Sequence, residues 1–239
     1  MCTVIVAMGH WADAPLVIMA NRDERLARPA GPAEWRTHRG VRVFAPVDLE
    51  AGGTWIGVSE TGLAAAITNR YGSEPDPSRG SRGALVLDAI AHEGMSAVAH
   101  WLSTELQPGA TNAFHLVVSD GHQGALVWSD GGRLYGEELS RGFHVLSERS
   151  YSARPSEREE RIWADVAAVN GDEPPAVEHV QSFLAQHDPD PARATCVHLE
   201  QLAYGTRSWS YIRKRRSPAT FEWHEALGPP CSTPAERVL

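Results

Sequence analysis

Met1-Cys2-Thr3-Val4-Ile5-Val6 opens the chain with a thiol one residue from the start and an apolar, β-branched run behind it. Small residues at position two are what methionine aminopeptidases tolerate. Removing Met1 would put a thiol and a free α-amine on Cys2, a nucleophile with its own base. A thiol is mostly protonated at neutral pH, whereas an α-amine titrates near ~7.7–8.0 and can take that proton directly or through one water. Taken alone, the six residues read more simply as a small hydrophobic Cys at the start of a buried strand. Residues 4–8 and 16–20 are apolar and β-rich, and a turn-like stretch from Gly9 to Pro15 separates them. They predict a hairpin that delivers the tetrad Asn21-Arg22-Asp23-Glu24 to a strand end.

Beyond the hairpin, Pro29, Gly31 and Pro32 predict an irregular connection, and residues 41–45 a short strand. Residues 54–58 and 63–68 form a second apolar pair around Ser59-Glu60-Thr61-Gly62, ending in the polar Asn69-Arg70. Gly72, Pro75, Pro77, Gly80 and Gly83 make residues 71–83 a loop, one that could border a pocket. Helical spacing follows in Leu85, Ala89 and Ile90, and again in Val98, Trp101, Leu102 and Leu106. Residues 114–119, 125–129, 133–136 and 143–147 read as a meander of strands. Ser156-Glu157-Arg158-Glu159 has capping-box spacing and opens a helix that Asn170-Gly171 should stop. Pro174-Pro175 open another helix. Residues 195–199, 208–213 and 220–223 read as closing strands. Blocks of strands with helices in pairs between them indicate one α+β domain over residues 1–227 with mainly antiparallel sheets, and residues 228–239 are expected to fray as a tail.

The composition narrows the classes. At 239 residues, with 42% hydrophobic residues and eight Trp, the chain can close a core without staples. A net charge of −8 argues against a general nucleic-acid surface, despite the short basic run Arg213-Lys214-Arg215-Arg216. Three widely spaced cysteines give no disulfide framework and no Cys-x-x-Cys pair, and the eleven histidines show no His-x-His or His-Glu-x-x-His spacing. The start lacks a basic signal-peptide region, and no apolar run reaches the ~18–20 residues of a membrane span. A cytoplasmic protein without stable membrane insertion is expected.

Polar groups fall at several strand ends: Cys2, Asn21 to Glu24, Asn69-Arg70 and Arg207. An N-terminal thiol needs a carboxylate to hold its amine, a cation or amide to fix the substrate, and a donor where oxyanion charge develops. Asp23, Arg22 and Asn69 are of those types, although an Arg–Asp pair is more often a surface ion pair worth about 0–1 kcal/mol.

Met1-Cys2-Thr3, Asn21-Arg22-Asp23-Glu24 with Arg28-Pro29-Ala30, Ala51-Gly52-Gly53-Thr54-Trp55-Ile56-Gly57-Val58, Thr68-Asn69-Arg70 with Ser81-Arg82-Gly83, and Tyr204-Gly205-Thr206-Arg207 resemble the NRDE family, also called the transport and Golgi organisation protein 2 family. The resemblance spans nearly the whole chain. It implies an N-terminal-nucleophile hydrolase-like sandwich of four layers, αββα. A more distant similarity links Met1-Cys2 and Gly62-Leu63-Ala64-Ala65-Ala66-Ile67-Thr68-Asn69 to choloylglycine hydrolases and penicillin V acylases. It implies Cys2 as nucleophile, Asn69 in an oxyanion hole, Arg22 and Asp23 beside the thiol, and Arg207 as the late arginine. Which of Arg22, Asp23 and Glu24 faces Cys2 stays open, because those enzymes space their Arg and Asp more widely. One position departs from the NRDE pattern: Leu146-Ser147-Glu148 stands where Leu-Ser-Asn is usual. At a substrate contact Glu148 would repel an anionic acyl group; pointing to solvent it would matter little.

The resulting expectation is an amidohydrolase that cleaves a non-peptide amide of a small acyl compound through a Cys2 thioester, without metal or cofactor. Cys2, Arg22, Asp23, Asn69 and Arg207 form its catalytic set, and Asn21, Glu24, Arg70 and Glu148 its substrate side. The alternative is a non-catalytic carrier of haem, a lipid or another hydrophobic acyl ligand on the same fold, with Cys2 ligating iron or merely packing. Oligomeric state is not legible.

Overall fold

The structure, a computed structural model, describes residues 2–72, 74–152, 156–167, 169 and 171–239. Met1, and with it any reading of its removal, lies outside them. The described chain packs as two compact units, one of residues 2–28 and 141–239, the other of residues 29–140. Each is an antiparallel sheet with its own helix pair and its own apolar core. Among the described residues no helix is long and apolar enough to cross a membrane.

In the first unit, β1 (Thr3–Met8) and β2 (Leu16–Arg25) form the expected hairpin, but β2 runs on through the polar tetrad. The tetrad is held in the strand because its other edge pairs with β12 (Tyr204–Lys214). Together with β10 (Gly142–Leu146), β13 (Phe221–Ala226) and β14 (Glu236–Arg237), the sheet order is β10-β1-β2-β12-β13-β14, and β11 (His198–Leu199) pairs with the start of β12. Alternate residues Ile5 and Ala7 of β1, Val17 and Met19 of β2, and Trp209 and Tyr211 of β12 share a face. That face packs on Ile162 and Val166 of α3 (Glu157–Ala167) and on Val180 and Leu184 of α4 (Val177–Leu184). The segment expected to fray instead returns to the sheet: β14 pairs with His224 and Glu225, and Trp223 donates its N–H to the Leu239 carbonyl at 3.1 Å. The expected helix stop at Asn170 lies outside the described residues.

The second unit is a seven-strand meander: β3 (Ala30–His38), β4 (Val41–Asp48), β5 (Ile56–Ser59), β6 (Ala64–Asn69), β7 (Phe114–Ser119), β8 (Gly124–Ser129) and β9 (Leu134–Glu138). The strand β3 corrects the expected irregular connection. Pro32, which has no N–H to give, sits where the register shifts between Gly31 and Glu34, so the ladder steps around it. The fourth strand of the expected meander is β10, which leaves this sheet to pair with β1. α1 (Arg82–Ile90) and α2 (Met95–Thr104) cover the sheet with Val86, Ala89, Ile90, Val98 and Trp101 against Ala65, Leu116 and Val118.

Two glycines of the family-like motifs meet here. A Cβ on Gly83 would lie 2.8 Å from both the N and O of Thr54, and one on Gly53 would lie 2.6 Å from the Gly83 carbonyl carbon. The turn before β5 therefore rests directly on the first turn of α1. Helix propensity alone favours Ala over Gly by about 1 kcal/mol. Because backbone cannot yield, Gly83→Ala should instead lower stability, by roughly 1–3 kcal/mol in a urea titration. A higher midpoint for the variant would contradict this packing.

Candidate active site around Cys2

The registers place the expected residues strand by strand. Thr3 pairs with Asn21, so one further step along the ladder sets Cys2 across from Arg22. Side chains alternate, which puts Arg22 on the face shared with Cys2 and turns Asn21 and Asp23 towards the helices. Continued past the last paired residues, this alternation would set Arg22 on the thiol's side of the sheet. Asp23 meets Cys2 through its backbone, with the Cys2 Sγ 3.8 Å from the Asp23 carbonyl oxygen, and the Tyr204 hydroxyl donates to that same oxygen at 2.8 Å. On the other edge of β2, Thr206 pairs with Asp23 and Ser208 with Arg22, leaving Arg207 as the extra residue of a β-bulge. A bulge re-aims a side chain out of the strict alternation. Arg207 is half-buried there.

Asn21 is committed to the scaffold. Both hydrogens of its amide go to backbone, to the Leu184 and Thr195 carbonyls at 2.9 Å each. Glu24 gathers arginines: its carboxylate lies 4.0 Å from Arg22, 3.7 Å from Arg25 and 3.6 Å from Arg28. This leaves it orienting Arg22 more readily than meeting a substrate. Asn69 and Arg70 belong to the second unit, where Asn69 is the exposed last residue of β6 and the Arg70 N–H donates to the Ala113 carbonyl at 3.1 Å.

Sequence reading missed Arg158. This residue of α3 is fully buried, with its guanidinium 3.7 Å from the Asp23 carboxylate and 3.8 Å from that of Glu148. The Arg158 Nη2 also donates to the Pro191 carbonyl at 3.1 Å. Glu148 therefore neither meets solvent freely nor stands as an uncompensated charge. The other Asp23 oxygen accepts from the Thr206 hydroxyl at 2.6 Å. The capping box is half realised: Ser156 Oγ accepts the Glu159 N–H at 3.2 Å. Glu159 does not reach back to complete the box. Its carboxylate accepts from Ser147 Oγ at 2.6 Å and from Ser150 Oγ, and so fixes the turn that carries Glu148. The only sequence sign of this role was two adjacent charged residues, Arg158 and Glu159, on the side of the helix that also bears Ile162 and Val166.

Burial sets the protonation states. It raises the Asp23 carboxyl to about 6, with Arg158 and the Thr206 hydrogen bond opposing the rise and Glu148 adding to it. Burial also pushes the Cys2 thiol up, with Asp23 reinforcing and Arg22 opposing. The Tyr204 phenol is pushed up by burial and by the acidic groups around it, so it stays a donor. At rest Cys2 therefore carries a neutral thiol, which could act as a nucleophile only if a base took its proton.

Residues 1–225 match the family model for Transport and Golgi organisation 2. The chain belongs to that family. Curated relatives include the Transport and Golgi organization protein 2 homolog of Bos taurus, 31% identical over 109 residues, and that of Mus musculus, 29% identical over 108 residues. Each match takes in 44% of this chain and 38% of the relative, so the similarity spans well under half of the curated proteins. Among solved structures, a mutant of the conjugated bile acid hydrolase from Clostridium perfringens superposes with a TM-score of 0.58 at 12% identity, covering 100% of this chain and 92% of that one. An N-acylethanolamine-hydrolyzing acid amidase ortholog from Caenorhabditis elegans gives 0.53 at 11% identity, covering 88% and 92%. At such identities the likeness is one of fold. The fold is the α+β, N-terminal-nucleophile hydrolase type, and the described residues form two antiparallel sheets and four α-helices.

Two outcomes are expected. Arg158→Met strands two carboxylates and should destabilise the chain by about 3–5 kcal/mol, whereas the triple change Asp23→Asn, Glu148→Gln, Arg158→Met should recover most of that in denaturant titrations. The second concerns pH. Asp23 titrates at about 6 when folded against an ordinary 3.8, so between those values the folded chain holds more protons than the unfolded one. Its contribution is present in full below pH 3.8 and is lost as pH rises through 6, a loss of roughly 3 kcal/mol. Asp23→Asn should remove that slope, and equal pH profiles for the two proteins would refute the assignment.

Proposed function

We propose that the chain is an N-terminal cysteine amidohydrolase that cleaves a non-peptide amide of a small acyl compound. The observation that carries the reading is Cys2 just before β1, half-buried, with its thiol against the carbonyl of Asp23 on β2. The family's hydrolase-like fold supports it, as does the neutral state of the thiol, which suits a nucleophile deprotonated only on attack.

With Met1 removed, the Cys2 α-amine takes the thiol proton as sulfur bonds to the substrate carbonyl carbon. The carbonyl oxygen becomes an oxyanion, which a positioned N–H donor must stabilise. Collapse returns the proton from the amine to the leaving nitrogen, breaks the C–N bond and leaves an acyl thioester on Cys2. Water then adds to the thioester, and the C–S bond breaks to restore the thiol. Arg22 steadies negative charge on the sulfur from across the ladder, and Arg207 reaches out of its bulge to position the acyl compound. Asp23, held by Thr206 and Arg158, keeps the backbone oxygen beside the thiol in place. No step draws on a metal or cofactor.

Intact-mass measurement on the purified chain tests this. The expected result is a species lacking Met1 that gains one acyl group on Cys2 from an activated acyl ester, and that hydrolyses some member of an N-acyl amide series. Cys2→Ser should lower that turnover by ~1,000-fold or more. Retained Met1, or acylation at other residues alone, would overturn the reading. A Soret shift with added hemin that disappears in Cys2→Ser would mark the thiol as a haem ligand of a carrier instead.

A further inference from the structure

Away from Cys2, the first unit brings together four soft or borderline metal ligands that the sequence scatters over 45 positions. One donor atom from each of His187, Cys196, His198 and Cys231 lies within 4.8 Å of the others. The His198 Nε2 is 3.3 Å from the Cys196 sulfur and 3.3 Å from the Cys231 sulfur. The His187 and His198 rings meet edge to face at 5.0 Å between centroids. Tetrahedral zinc, bound to sulfur at about 2.3 Å and nitrogen at about 2.0–2.1 Å, separates those atoms by about 3.5 Å. These two sulfur–nitrogen separations fall just inside that value, and the other donor pairs, all within 4.8 Å, would have to close by at most about 1.5 Å.

The backbone builds the cluster. The N–H groups of Thr195 and Cys196 both donate to the Gln186 carbonyl, at 3.1 and 3.0 Å, which sets His187 beside Cys196. The turn that carries Cys231 is fastened on either side: the Gln181 amide donates to the Pro230 carbonyl at 2.7 Å, and the Trp209 indole N–H to the Thr233 carbonyl at 2.9 Å. Cys196 is buried, while His187, His198 and Cys231 are exposed, so an ion has a path in.

We propose that His187, Cys196, His198 and Cys231 bind one zinc(II) ion as a closed, structural site. Four protein ligands with both thiolates leave no position for water or substrate, which separates structural from catalytic zinc. Loading releases the thiol protons to solvent and changes no oxidation state. The ion would clamp β11 and the C-terminal turn onto β12. The link from there to Cys2 is short. Val197, between two ligands, donates its N–H to Thr206 Oγ1 at 2.8 Å and accepts the Thr206 N–H at 2.8 Å. That same hydroxyl donates to Asp23. A Cβ on Gly205 would sit 2.7 Å from the Val197 oxygen, so only glycine lets β11 approach this closely. The site therefore stiffens the strand that holds Asp23, whether or not Cys2 is catalytic.

The test uses the full chain, reduced, stripped with a chelator and titrated with zinc chloride or cobalt chloride. One metal per chain is expected by elemental analysis, and the cobalt form should show thiolate-to-cobalt charge transfer with the visible bands of a tetrahedral ion. Cys231→Ser and His187→Ala, both at exposed positions, should each weaken binding by at least about 100-fold and erase the rise in Tm that zinc gives the parent. Cys2→Ser should bind as the parent does, which keeps the outcome independent of the proposed chemistry at Cys2. Binding well below one metal per chain would overturn the site. So would undiminished binding in both ligand variants, or a mass lower by two hydrogens that shows a Cys196–Cys231 disulfide in place of the metal.

Discussion

A guanidinium buried between two carboxylates is the constraint on which the rest of the first unit depends. Arg158 cannot give up its proton, and it has no exposure through which water could solvate it. Asp23 and Glu148 face it and Pro191 accepts from it. Those partners come from β2, from the turn after β10 and from the segment after α4. Loss of any one leaves charge in a medium that tolerates it poorly, so the four segments are held in one arrangement. Specificity of arrangement, more than net stabilisation, is what such a triad contributes.

The arrangement reaches Cys2 through backbone. Asp23 points its side chain to the helices and its carbonyl to the thiol, so fixing the carboxylate fixes the oxygen next to Cys2. Thr206 and Tyr204, two residues apart on β12, serve the side chain and the carbonyl respectively. Glu159 repeats the device one residue along α3, holding the turn in which Glu148 stands. An amide at position 148 could not balance Arg158 as a carboxylate does. The unusual residue thus has an electrostatic partner inside this chain, and no repulsion of substrate need be invoked for it.

Val197, between Cys196 and His198, and Thr206 link the His187–Cys196–His198–Cys231 cluster to Asp23 by two consecutive hydrogen bonds. Burial raises both the Cys2 thiol and the Asp23 carboxyl, so near neutral pH the thiol stays uncharged while Asp23, at about 6, keeps the negative charge that Arg158 faces.

The amino-acid sequence by itself determined the hairpin of β1 and β2, both helix pairs, the strand blocks and the family, because apolar periodicity and long collinear motifs are local properties of the chain. It also put Cys2, Arg22, Asp23 and Arg207 at strand ends, while the pairing of β2 with β12 that brings Arg207 beside Arg22 and Asp23 came only from the structure. It did not yield β3, where Pro29, Gly31 and Pro32 masked a strand that a bulge makes workable, nor the return of residues 228–239 to the sheet edge. Tertiary structure alone decided that Asn21 and Asp23 turn away from Cys2 while Arg22 shares its face, since register, not composition, selects the face of a strand. It alone revealed Arg158, whose spacing on α3 looks like that of any charged helical residue until Asp23 and Glu148 are brought against it. The same holds for Cys196 and Cys231, thirty-five positions apart, which no local spacing joins and only the closing of β11, β12 and the final turn brings together.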